Sequence, residues 1–437
     1  MGPMSDERTA RMQTRLIHGR FRSPHWDYSD HIVPPMSASA AYRLESTARG
    51  AEGFLEFANP ELNRERRSPI FIYDRLDEPS RGMLEENLAA AHGGESCVTF
   101  ATGMAAISAA LGVLLKAGDT VVAHRTVYGC TWSLLANWYP RLGLRAVFAD
   151  LTDLGELDRL LARDRNVMAV FCESPCNPNL ELIDLAELAA LVAARNAGRP
   201  PRRKIFTVVD NTFATPFCQR PLAHGIDLVA ESLTKNIGGF GTDMGGAVIG
   251  PKLLEPDLLL YRKDFGGVLS PKAAWPALVY GLPTLALRSR QQIATAKVVA
   301  EHLEGDPRVA QVIYPGLPSH PQHALARRQM VGFDGEPAPG SLLYFTLRGE
   351  GEEARMRGAR MMDALATRAY SITLAVSLGQ IRTLVEHPAS MTHAAVPVER
   401  QLEAGIHPAG IRLSIGLEDP RDILADLDAA LDVARAG

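Results

Sequence analysis

Lys235 stands in Glu231-Ser232-Leu233-Thr234-Lys235-Asn236-Ile237-Gly238-Gly239, directly after an apolar run and between hydroxyl residues and glycines. A lysine at the end of a buried strand is placed to lose water. Desolvation favours the neutral amine, and that form condenses with carbonyl groups. By itself the same residue is as readily a surface lysine. Asp210, in Val208-Val209-Asp210-Asn211-Thr212, closes a second apolar run. A carboxylate there needs a partner to offset its burial. It either caps the segment that follows or faces a cationic ring nitrogen. In Phe100-Ala101-Thr102-Gly103-Met104-Ala105-Ala106 a strand-like run passes into a helix-like one. Gly103 permits a tight turn, and a helix start there offers free N–H groups and a positive dipole end, which suit a phosphate.

The elements that must position these residues are visible as patterning. Apolar runs at 97–100, 120–123, 145–148, 167–172, 205–210, 228–230 and 247–249 alternate with segments apolar at helical spacing, such as 154–164 and 185–196. Strands apolar on both faces and alternating with helices predict a mostly parallel seven-stranded sheet covered on both sides. Ligands of such sheets bind beyond the carboxyl ends of the strands. From Pro271 the pattern changes. A long helical stretch at 273–304, interrupted at Pro276 and Pro283, leads to strands at 309–314, 341–347, 371–376 and 411–415, with helices at 352–366 and 420–436. The class expected is α/β, with a large domain over 72–272 and a smaller C-terminal α/β domain over 273–437. Residues 1–71 form an N-terminal arm, polar and irregular to residue 68, with charges clustered from Asn59 to Arg67.

Size and composition agree. A chain of 437 residues exceeds what one core usually serves. Hydrophobic residues make up 46% and charged residues 22%, an ordinary globular balance. A net charge of −4 gives no reason to expect nucleic acid or an anionic membrane as partner. No apolar run approaches the ~20 residues of a membrane span, and no secretory leader is recognisable. Met1-Gly2-Pro3-Met4 resembles a cloning remnant. The five cysteines, Cys97, Cys130, Cys172, Cys176 and Cys218, are odd in number, which suits reduced thiols and a cytoplasmic setting. Cys172 and Cys176 have the spacing of half a metal site, but no second pair follows, and no metal is expected.

A phosphate cradle, a strand-end acid and a strand-end lysine, in that order along one sheet, are the parts that pyridoxal 5′-phosphate (PLP) requires: an anchor, a partner for its ring nitrogen and an amine for its aldehyde. Elsewhere the chain carries Tyr73-Asp74-Arg75, Thr102-Gly103-Met104, Tyr128-Gly129-Cys130-Thr131, Glu173-Ser174-Pro175-Cys176-Asn177-Pro178, Ser377-Leu378-Gly379, His387 to His393, and Arg412 to Glu418. With Asp210-Asn211-Thr212 and Ser232 to Lys235, these stretches make the chain from about Ile72 onward resemble the Cys/Met-metabolism PLP enzymes. That family comprises cystathionine synthases and lyases, acylhomoserine sulfhydrylases and methionine γ-lyase.

The resemblance implies the PLP-dependent transferase fold of type I and a set of roles. Lys235 holds the cofactor as a Schiff base and moves protons. Asp210 pairs with the ring nitrogen, with Thr212 and Asn177 also in the cofactor's surroundings. Gly103, Met104, Ser232 and Thr234 hold the phosphate. Tyr128 stacks on the ring and can protonate a leaving group. Asn177, Ser377 and Arg412 meet the carboxylate of a small amino-acid substrate, Arg412 as the bidentate clamp. Tyr73 and Arg75 reach the phosphate of a neighbouring subunit, which implies a homodimer at least, and by family habit a tetramer built from two dimers.

Three positions bear on the substrate. Cys130 follows Tyr128-Gly129, as in methionine γ-lyases. Lys263-Asp264 resembles a pair those enzymes bring near that cysteine. Val376 is apolar where cystathionine enzymes tend to place Glu for a second ammonium group. Together they favour γ-elimination on a methionine-like substrate. Phe240 stands where the family usually has His, and the segment from Tyr42 to Ile70 is longer and more charged than the family pattern. Both leave room for γ-replacement on an O-acylhomoserine, or for a γ-lyase acting on cystathionine, homocysteine or canavanine. From another enzyme class, Ser232-x-x-Lys235 also fits the S-x-x-K motif of serine acyl-transfer enzymes, without the Lys-Thr-Gly that should accompany it.

Overall fold

The computed structural model describes residues 10–21, 26–57, 59, 71–200, 203–349, 351–392, 397–403 and 405–435. All seven apolar runs between residues 97 and 249 become strands of one sheet: β1 (Ser96–Phe100), β2 (Thr120–His124), β3 (Arg145–Ala149), β4 (Val167–Glu173), β5 (Phe206–Asp210), β6 (Leu228–Glu231) and β7 (Gly246–Gly250). Their order is β1-β7-β6-β5-β4-β2-β3. Only β7 runs against its two neighbours; the other pairings are parallel. Helices cover both faces, which is why β4 is buried at every position. One face packs Val98, Phe100, Phe171 and Val208 against Ile107 and Leu111 of the helix Gly103–Gly112. The other packs Val170, Cys172 and Val209 against Leu157 and Leu188.

A second sheet holds β8 (Val309–Ile313), β9 (Leu342–Leu347), β10 (Ile372–Leu374), β11 (Thr383–Glu386) and β12 (Gly410–Ser414), in the order β10-β11-β12-β9-β8. Its core joins Leu343, Phe345, Ile411 and Leu413 to Met361 and Leu365 of the helix Gly351–Arg368 and to Leu427 of the helix Pro420–Arg435. The helix Leu282–Glu304 contributes Val299 and Leu303 to this core and Leu285 and Ala286 to the core beside the large sheet. A buried Leu truncated to Ala at such a position costs about 2–5 kcal/mol.

Three elements depart from the sequence expectation. Strand β11 was not anticipated. The run expected at 371–376 ends at Leu374, because Ser377 takes a positive φ of 96° and turns the chain out of the sheet. The arm is not wholly irregular: it carries helices at Met12–His18 and Thr47–Glu56, the second capped by Ser46. Met1 to Met4, most of the charged cluster from Asn59 to Arg67, and His393 lie outside the described residues, as does the end of the 42–70 segment.

Candidate active site

Because β1, β4, β5 and β6 run parallel, their carboxyl ends share one edge of the sheet. Phe100, Glu173, Asp210 and Glu231 end these strands, and the chemistry-bearing residues follow. After β1, Thr102 caps the next helix by accepting the Ala105 N–H (3.0 Å). The N–H groups of Gly103 and Met104, in the first turn, have no intrahelical acceptor. A Cβ on Gly103 would lie 2.9 Å from the Ser232 Cβ, so only glycine lets helix and lysine loop approach this closely. Thr212 Oγ1 takes the Ser232 N–H (2.9 Å), and Thr234 Oγ1 takes the Gly245 N–H (3.1 Å). Met104 lies against Thr131, whose hydroxyl points at its sulfur (3.8 Å).

Lys235 sits in a five-residue helical turn, Leu233–Ile237, which its own backbone angles interrupt. Its Nζ donates to Ser377 Oγ (2.8 Å). Burial, then the nearby Arg412 cation, lower its pKa from 10.5 to about 8, against the pull of Glu386 and Asp210. Asp210 accepts the Thr212 N–H (2.9 Å). Burial raises its pKa, while Thr212 and the charge of Lys235 work the other way. Behind the turn, Arg288 is 3% exposed and donates to the carbonyls of Asn236 (2.8 Å) and Gly281 (2.8 Å) and to the Thr284 hydroxyl (3.0 Å). It thereby caps the carbonyl end of the lysine turn, and Gly239, at φ 74°, is the residue that leaves room for it. Phe240, 39% exposed, lies over the same guanidinium at 5.5 Å.

The second sheet supplies the other wall. Arg412 of β12, 2% exposed, donates Nη1 to Asn177 Oδ1 (2.8 Å) and Nη2 to the Ser377 carbonyl (2.8 Å). Its Nη1 also lies 3.0 Å from Glu386, its register partner on β11, and its Nε is buried with no partner among the described residues. Ser377 thus touches both the amine and the guanidinium while in a left-handed backbone conformation that costs about 1–3 kcal/mol. Tyr128 donates its N–H to Glu173 Oε1 (2.6 Å). Burial and a hydrogen bond with Cys130 push its phenol pKa up. Cys130 and Val376 are exposed, Val376 at 58%.

Tyr73 and Arg75 make their contacts elsewhere. Arg75 lies over the Tyr73 ring at 5.5 Å and donates to the Lys263 carbonyl (2.8 Å), both side chains being exposed. Lys263 pairs with Asp264 at 3.2 Å. Glu386, Glu173 and Arg288 were given no role from sequence; as charged residues in or beside apolar runs they carry no local mark of their burial. Cys176 lies near His124 and Glu181, a possible ligand set by type. There, however, His124 Nδ1 accepts the Leu151 N–H, which leaves its Nε2 proton for Glu181, and Arg125 already pairs with that acid. The cluster is a closed polar network.

A helix start behind a glycine, a strand-end acid and a desolvated lysine amine, on one edge of a mostly parallel sheet, fit PLP and define a fold type I PLP enzyme. The chain belongs to the Cys/Met metabolism PLP-dependent enzyme family, whose model matches residues 13–432. The match therefore reaches well ahead of Ile72, into the arm. Over 404 residues the chain is 40% identical to an L-methionine gamma-lyase of Fusobacterium nucleatum subsp. polymorphum, covering 92% of this chain and 93% of that protein. It is 36% identical over 362 residues to an O-succinylhomoserine sulfhydrylase of Mycobacterium tuberculosis, covering 83% and 84%. The crystal structure of cystathionine gamma synthase from Xanthomonas oryzae pv. oryzae in complex with cystathionine superposes with a TM-score of 0.83 at 34% identity, covering 98% of this chain and 99% of that one. Family membership sets aside the acyl-transfer reading of Ser232-x-x-Lys235. Among the described residues no helix is long and apolar enough to cross a membrane.

Proposed function

We propose that this chain is a carbon–sulfur lyase that eliminates the γ-substituent of a methionine-like L-amino acid. With methionine and one water the products are 2-oxobutanoate, ammonia and methanethiol. The observation that carries this reading is Val376, an exposed apolar side chain beside Ser377, where the resemblance implies that enzymes taking a second ammonium group tend to carry Glu. The similarity to L-methionine gamma-lyases supports it.

Arg412 receives the substrate carboxylate, using the buried Nε that lacks a partner together with its Nη2 edge. Asn177 and Ser377 hold the guanidinium in place. Gly103, Met104, Ser232 and Thr234 would hold the phosphate of PLP, Asp210, braced by the Thr212 N–H, would pair with its ring nitrogen, and Lys235 would be its point of covalent attachment. PLP, when bound there, supplies the electron sink that lets the protons at Cα and Cβ leave. Lys235, its amine held by Ser377 Oγ, takes the Cα proton; a pKa of about 8 leaves a useful neutral fraction at physiological pH. Tyr128 keeps its proton at neutral pH and gives it to the departing sulfur as the Cγ–S bond breaks. Water then replaces nitrogen at Cα, so that the carbonyl oxygen of the product comes from water.

On this reading residues 1–71 are an arm that serves a neighbouring subunit, 72–272 are the domain that binds the cofactor and 273–437 are the smaller domain that supplies Ser377 and Arg412. Tyr73 and Arg75, whose contacts lie away from Lys235 of their own chain, reach the phosphate of a second copy. The assembly is a tetramer made of two such dimers, and the setting is cytoplasmic. A second reading, γ-replacement on an O-acylhomoserine, draws on the similarity to a sulfhydrylase. Assays of L-methionine, homocysteine, cystathionine, O-acetylhomoserine and canavanine side by side, each with and without an added thiol, separate the two. 2-Oxobutanoate from methionine without a thiol supports elimination. Product only from the ester, and only with thiol, overturns it.

A further inference from the structure

One buried acid with no role above touches three of the residues that have one. Glu173 ends β4 and pairs in register with Asp210 at the end of β5, so the two side chains stand next to each other on one face of the sheet. It is 5% exposed. Its Oε1 accepts the Tyr128 N–H at 2.6 Å, and its carboxyl group also accepts the N–H of Asn177. Asn177 in turn holds Arg412 through Oδ1 at 2.8 Å.

We propose that Glu173 is a positioning residue whose carboxyl group hangs Tyr128 and Asn177 from the strand end beside Asp210, fixing phenol, ring-nitrogen acid and carboxylate clamp relative to one another. Tyr128 opens a short helix, Gly129–Ser133, that has no side-chain cap, so the Glu173 bond is what ties its N–H to the sheet. Without that acceptor a buried donor is left unpaired and the loop is free to shift. The titratable groups that act on Glu173 are Asp210, Tyr128 and Cys176, with Cys172 on the opposite face of the same strand. Burial, then the charge of Asp210, push its pKa well up, which favours its protonated form. The role is geometric, and a neutral isostere should fill it.

The test compares full-length, PLP-loaded E173Q and E173A with the wild type, with thermal melting to check folding. Glu173→Gln keeps an acceptor of the same reach, and its kcat should stay within about threefold of wild type. Glu173→Ala should lose on the order of 10²-fold in kcat, the effect of about 1 Å of misplacement, with a shifted absorption maximum of the bound cofactor. The infrared difference spectrum of cofactor-free wild type minus E173Q should show the carbonyl stretch of a protonated carboxylic acid at pH 7. E173A with wild-type turnover and spectrum, E173Q as impaired as E173A, or ionised-carboxylate bands in the difference spectrum would each overturn the proposal. It rests on the proposed function only for the assay substrate. If methionine is not turned over, the infrared band and the cofactor absorption still decide.

Discussion

The lowered pKa of Lys235 gives the most quantitative prediction. Recapture of added PLP by cofactor-free protein requires the neutral amine. At pH 7 an amine of pKa about 8 is roughly one-tenth neutral, whereas one at 10.5 is neutral in about one part in 3,000. The environment therefore raises the reactive fraction roughly 300-fold, equivalent to about 3 kcal/mol. Burial is the larger cause and Arg412 the second, while Glu386 and Asp210 oppose them. The assay is stopped-flow absorbance across pH, divided by the rate with Nα-acetyl-lysine per neutral molecule of that amine, which removes the ionisation of PLP itself and leaves that of Lys235. After correction for the model amine, the absolute rate constant should climb tenfold per pH unit up to about 8 and then level off. Arg412→Met should move the break upward, because a repelling cation is gone, and Glu386→Gln should move it downward. A wild-type rate that keeps climbing to about pH 10, or an Arg412→Met break at lower pH, would refute the reasoning.

Three further outcomes follow from single contacts. Val376→Glu puts a carboxylate where a thioether should lie. It should lower kcat/KM for methionine by on the order of 10-fold or more and raise it for cystathionine, measured as 2-oxobutanoate formed. Arg288→Met orphans the carbonyls of Asn236 and Gly281 behind the lysine turn; chemical unfolding should show a loss of about 2–4 kcal/mol, and the Kd for PLP should rise. Gly103→Ala places a Cβ 2.9 Å from that of Ser232 and should weaken PLP binding about 10-fold by fluorescence titration, while changing the melting of the cofactor-free protein far less.

The large sheet was legible because each of its strands is apolar on both faces, so seven short runs such as Val167 to Cys172 stand out without any partner being known. Strand β11 was not, since Thr383–Glu386 is four residues long, bears polar residues at both ends and follows a loop whose course depends on the positive φ of Ser377. The helix Thr47–Glu56 hides for a related reason: its mean hydropathy is near neutral and it buries only Gly50 and Gly53, its Phe54 and Leu55 being exposed, so it does not stand out as a core-facing run. Within the site, Lys235, Asp210 and Gly103 could be singled out because strand ends carry a positional signal. Glu173, Arg288 and Glu386 could not, because what distinguishes them is burial against residues from 45 to more than 50 positions away, or against a facing strand. That information is tertiary. The contacts of Tyr73 and Arg75, with each other and with the Lys263 carbonyl, are of the same kind.

The central claim is that Lys235 carries the cofactor, and borohydride reduction of the PLP-loaded protein followed by peptide mapping tests it most directly. The account predicts one phosphopyridoxyl group per chain, on the peptide that contains Lys235, with loss of the visible absorption band and no labelling in Lys235→Ala. A label on another lysine, or an unlabelled wild type that still turns over substrate, would contradict it.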